Sequence, residues 1–100
     1  MTFEEFQSSL KSDKQPPEGL SPALQALWQE AKGDWDAAHN TAQDVAGADG
    51  AWVHAYLHRK EGDIGNARYW YARARKPEFQ EDLIKEWEHI VTALLEKCKP

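Results

Sequence analysis

Apolar residues recur along this chain at spacings of three and four, and no stretch alternates apolar with polar over the length of a strand. Phe3, Phe6 and Leu10 mark a first helix behind Thr2 and Glu5, which have the spacing of a capping box. Pro16-Pro17 interrupts the pattern and predicts a linker over 12–19. Ser21 followed by Pro22 opens a second helix, with Leu24, Leu27, Trp28 and Ala31 on one stripe and Gly33 as its stop. Asp34 caps a third helix, expected over 35–46. The run Gly47-Ala48-Asp49-Gly50 reads as a turn, with Asp49 or Gly50 capping a helix over 51–61. Gly62 ends it and Asp63 starts another over 64–75. Pro77 breaks the chain, and a closing helix is expected over 79–97, where Leu83, Ile84, Trp87, Ile90, Val91, Leu94 and Leu95 follow the helical period closely. The pattern predicts one all-α domain over 1–100, built from five to six antiparallel helices. An N-terminal helix with its proline linker occupies 1–20 and the helical core 21–97.

Two of the predicted hairpins repeat each other. Gly33-Asp34-Trp35 with Ala38 and Ala42 returns, 29 residues later, as Gly62-Asp63-Ile64 with Ala67, Tyr71 and Ala74. Glycine at the helix stop tolerates positive φ, Asp caps the next helix, and the small residues permit close approach. Glycine at the turn followed by spaced alanines resembles the tetratricopeptide hairpin, although the period is shorter. That resemblance covers about 24–75 and implies stacked helix pairs closed by the last helix. The stretch HAYLHRKEGDIGNARYWYARA at 54–74 is similar to the core of a small, largely uncharacterised protein family with an HRxEGDxxNAxYWYxRA-type signature. That second resemblance carries no activity and implies no catalytic residue.

Composition adds to this picture. Hydrophobic residues are 41% and charged residues 29%, a globular balance, and five tryptophans make aromatic burial important. No apolar run reaches the length of a membrane span, so no membrane is expected as a partner. Cys98 is the one cysteine, which excludes an intrachain disulfide. The start Met1-Thr2-Phe3-Glu4-Glu5 has neither part of a secretory leader. A reducing, cytoplasmic setting follows as the expectation. The net charge of −5 disfavours nucleic acid. Yet between 58 and 76 Arg59, Lys60, Arg68, Arg73, Arg75 and Lys76 face only Glu61 and Asp63.

Candidate chemistry concentrates in the same region. On a wheel for 51–61, Trp52, Val53, Tyr56 and Leu57 form the core face, while His54, His58 and Glu61 lie in register on another arc beside Ala51 and Ala55. His39 sits at the edge of its helix's apolar face, with Gln43 one turn on. Asn66, Tyr69 and Arg73 share a polar arc of the helix that follows. His54, His58 and Glu61 have the spacing of a divalent-metal ligand set, although the H-E-x-x-H motif is absent because Ala55 replaces its glutamate. A histidine beside an acid also suits acid–base catalysis. No activated nucleophile accompanies it: Ser8, Ser9, Ser12 and Ser21 lie near the N-terminal arm, and Cys98 lies at the end.

These residues favour an intracellular binding or interaction module that needs no cofactor. A polar pocket of His39, Gln43, His54, His58, Arg59, Glu61, Asn66, Tyr69 and Arg73 would take a small anionic molecule or a peptide, with Arg59 neutralising the anion. The runner-up is a small metal-dependent or acid–base enzyme, hydrolase-like, using His54, His58 and Glu61. So short an array leaves one end poorly covered, which makes a homo-oligomer a further expectation.

Overall fold

Thr2 and Glu5 cap each other as their spacing requires: Glu5 N–H donates to Thr2 Oγ1 at 3.1 Å and Thr2 N–H to Glu5 Oε1 at 2.9 Å. This box starts the first of six helices in the computed structural model, which describes residues 1–97. The order is α1 (Phe3–Ser12), α2 (Pro22–Ala31), α3 (Trp35–Gln43), α4 (Gly47–Lys60), α5 (Ile64–Ala74) and α6 (Leu83–Lys97). No strand occurs among the described residues. None of the described helices is long and apolar enough to cross a membrane. Cys98 lies outside the described residues.

α4 is the central element. It packs against α2, α3, α5 and α6, and its interface with α5 is the most extensive of the fold. Trp52, Val53, Tyr56 and Leu57 are all buried, as the wheel required. The helix has little amphipathic character because His54, Ala55 and His58 are buried as well. Leu24, Leu27 and Trp28 of α2 and Trp87, Ile90, Val91 and Leu94 of α6 complete the core.

α1 packs back on its own domain. Phe6 is fully buried, and Phe3 and Phe6 each lie 5.8 Å from the Trp87 ring. Burying one such side chain contributes about 2–3 kcal/mol. Trp28 Nε1 donates to Ser9 Oγ at 3.0 Å, and Lys32 Nζ donates to the carbonyls of Leu10 and Asp13, covering the C-terminal end of α1.

The internal repeat is real at its turns. Gly33 and Gly62 have φ of 92° and 90°. Asp34 N–H reaches Gln29 O at 3.1 Å, and Asp63 N–H reaches His58 O at 2.9 Å. Each closes a Schellman motif, and each aspartate then caps the helix it begins. A third such closure ends α5, where Lys76 N–H donates to Tyr71 O at 3.1 Å. There the left-handed position is held by Arg75, at φ 59°.

Three boundaries differ from the sequence pattern. α3 stops at Gln43 and α4 begins at Gly47, so the expected turn at 47–50 is already helical. Ala46 is its N-cap, without a side-chain bond, and Asp49 pairs instead with Lys97 at 2.8 Å. Gly50 permits this corner: a Cβ there would stand 2.1 Å from Val45 O. The closing helix begins at Leu83, behind Asp82, whose carboxylate accepts from Lys85 N–H at 2.8 Å. The segment before it is a strap: Phe79 lies 5.7 Å from the His89 ring, and Glu78 pairs with Arg68 at 3.0 Å.

Candidate functional site

Three of the four histidines meet between α3 and α4. His54 and His58 are one turn apart on α4, and His39 comes from α3. His39 meets His54 edge to face at 5.1 Å between ring centroids and His58 at 5.4 Å, while His54 and His58 lie near-parallel at 5.9 Å. One ring nitrogen from each lies within 4.8 Å of the other two. His54 and His58 are buried and His39 half-buried.

Aromatic packing fixes these rings. His39 stacks on Trp35 at 4.9 Å, and the Trp35 indole is anchored by donating to Leu57 O at 3.0 Å. His54 stacks on Trp70 at 4.2 Å. The Arg73 guanidinium lies 5.5 Å from the centroid of the same Trp70 ring and 5.6 Å from that of Tyr69. Burial first, then repulsion from His39 and His58, pushes the His54 imidazole down to about pKa 4, so it is neutral at ordinary pH. Its Nδ1 is buried without a hydrogen-bond partner among the described residues.

His58 differs from its neighbours in holding an acid. Its Nδ1 lies 2.6 Å from Glu61 Oε1, across the end of α4. An ionised carboxylate only accepts, so this contact places the proton on Nδ1 and leaves the lone pair on Nε2. Asn66 Nδ2 stands 3.5 Å from the same Nδ1. Glu61 joins His58 and Asp63 in a second cluster of close ligand atoms. The spacing grouped His54, His58 and Glu61, whereas the close-lying ring nitrogens are those of His39, His54 and His58, with Glu61 behind His58. The wheel aligned Glu61 with both histidines, but the neighbouring helix, invisible to a wheel, supplies the third imidazole.

His54 also lines a cleft of about 840 Å³ between the α3–α4 corner and α5. Its walls are Gln43, Val45 to Ala48, Ala51, Trp70, Ala72, Arg73 and Arg75. Neither arginine has a carboxylate partner among the described residues; Arg73 Nη1 donates only to Tyr69 Oη, at 3.3 Å. The first turn of α4, whose leading amides no side chain caps, forms one wall.

The expected site residues therefore divide. Gln43, His54 and Arg73 line the cleft, His39 and His58 complete the imidazole cluster behind it, and Glu61 and Asn66 hold His58. Tyr69 stands at the surface, 55% exposed, beneath Arg73. Arg59 belongs elsewhere, contrary to its expected role on an anion. It donates to the fully buried Glu86 at 2.8 Å and to Glu81 O, and its guanidinium lies over Phe79. Trp35, Trp70 and Arg75 were missed as site residues. The spacing of four between Trp35 and His39 was a usable sign for the first. No protein-family model, curated protein or solved structure matches the chain.

Proposed function

We propose that this protein is a small helical binding module whose cleft takes a small anionic molecule, a carboxylate or a phosphate ester. The observation that carries this reading is the presence of Arg73 and Arg75, free of carboxylates among the described residues, together with His54 on one cleft. The cleft volume of about 840 Å³ suits a small-molecule ligand. Guanidinium groups bind carboxylate and phosphate in a bidentate fork, and an open helix start favours negative charge. His54, being neutral, adds a polar group and no third charge. Trp70 offers an apolar wall for the body of the ligand.

Thermal shift and calorimetry against inorganic phosphate, phosphate monoesters and di- and tricarboxylates test the reading. A saturable rise in melting temperature with one of these anions is expected, weakened by added salt and abolished in Arg73→Gln/Arg75→Gln. Absence of any shift at millimolar anion, or equal binding by the double variant, would end it. Binding of acidic peptides alone would replace the small-molecule reading with a peptide-docking one.

A further inference from the structure

We infer that His39, His54 and His58 form a binding site for one transition-metal ion of the zinc, cobalt or copper class. The inference shares His54 with the anion reading but uses the imidazole cluster and neither arginine, so metal binding in the absence of coordinating anions tests it separately.

Three arguments support it. The first is convergence: three ring nitrogens from two helices lie within 4.8 Å of one another. Zinc–imidazole bonds of roughly 2.0–2.1 Å place their nitrogens closer than this, so small side-chain rotations suffice. Two imidazoles one turn apart on a helix already face a common point, and His39 closes the set from α3. The second is the free lone pair or N–H of His54, whose buried Nδ1 has no hydrogen-bond partner among the described residues. Hydrogen bonding leaves few buried polar atoms alone, and those that remain call for a partner. The third is the support behind the ligands. Glu61 accepts the hydrogen bond from His58 Nδ1–H at 2.6 Å, which orients the ring and makes the Nε2 lone pair a better metal ligand. Metal-bound histidines almost always have such an outer carboxylate or carbonyl. Trp35 and Trp70 hold the other two rings by stacking at 4.9 and 4.2 Å.

The donor set selects the ion. Three neutral imidazoles suit zinc, cobalt, nickel or copper and suit magnesium or calcium poorly, because those ions require oxygen. A tetrahedral ion on three histidines retains one position for water or an exogenous ligand.

Tag-free protein, stripped by chelator and desalted into a buffer without coordinating anions, should be titrated with Co²⁺. One equivalent should produce visible ligand-field bands, lost on adding Zn²⁺ and untouched by Mg²⁺. Zinc should raise the melting temperature by on the order of 10 °C at a free concentration of roughly 100 times Kd. His39→Gln and His58→Gln should each weaken binding on the order of 100-fold. Glu61→Gln should weaken it about 10-fold with the circular dichroism unchanged. His89→Gln, an exposed histidine outside the cluster, should leave it intact. Wild-type protein that gives no cobalt spectrum and no zinc shift overturns the inference. So does binding that survives His39→Gln, or that falls equally in His89→Gln.

Discussion

His39 of α3 meets His54 of α4 edge to face, with ring centroids 5.1 Å apart. Two imidazoles so close cannot both carry charge without mutual repulsion, and His54 is also buried. The folded state therefore keeps His54 neutral down to about pH 4, whereas the unfolded chain protonates it near the ordinary imidazole value of 6.5. Because the folded pKa is the lower one, its contribution is complete above pH 6.5 and is lost as pH falls toward about 4. The loss is on the order of 2 kcal/mol, allowing for partial solvent screening. Urea unfolding with chelator present, at about pH 7.5 and about pH 5, should show this difference in wild type. It should shrink in His54→Gln. An equal pH dependence in both proteins would locate the titration elsewhere.

Gly50 sits inside α4, where helix propensity alone favours alanine. The structure predicts the opposite sign. An added Cβ would meet Val45 O at 2.1 Å and Val45 C at 2.9 Å, both backbone atoms that cannot swing aside. Gly50→Ala should destabilise the fold by roughly 2 kcal/mol or more. It should also disturb the cleft, because Val45, Ala46 and Gly47 form its wall. A chemical-denaturation midpoint at or above wild type would show that the corner yields freely.

Arg75 holds a left-handed conformation, φ 59°, at the end of α5, where Gly33 and Gly62 hold the equivalent turns of α2 and α4. A side chain in that region costs about 1 kcal/mol relative to glycine. Arg75→Gly should therefore raise stability by up to about 1 kcal/mol while weakening anion binding at the cleft. The two readouts move in opposite directions, which separates a binding role from a structural one. Reduced stability with unchanged anion affinity would remove Arg75 from the site.

Much of this architecture was legible because it is local. The capping box, Gly–Asp turns and the 3.6 period report on neighbours within a few residues, so the all-α class and the repeated turn could be read directly. The α3–α4 corner was misread because Gly47 and Gly50 look like turn residues, while Gly50 answers to a carbonyl that only the folded chain brings near. The same limit governed the site. His54 and His58 share a helix face and were found together, but their third partner lies across a packing interface. Arg75 gave no sign, because a left-handed backbone at a non-glycine residue has no sequence signature.

Arg59 shows how a charged residue can be assigned to the wrong side of a helix. Placed among the basic residues of 58–76, it read as an anion ligand, yet it faces α6 and neutralises Glu86, which is fully buried. The Tyr71 hydroxyl donates to the same carboxylate, and burial, reinforced by that acceptor, pushes the phenol well above its usual pKa. Glu86 thus depends on two partners from α4 and α5 to remain in the core. Removing Arg59 alone should destabilise the protein by about 3–5 kcal/mol, because the charge would stay buried and uncompensated. Removing both charges in Arg59→Leu/Glu86→Leu should recover much of that loss, since an apolar pair replaces a desolvated one. Denaturation midpoints of the two single variants and the double variant form a cycle that measures the coupling. Additive losses would dissolve the pair, and anion affinity that falls in the folded double variant would return Arg59 to the binding site.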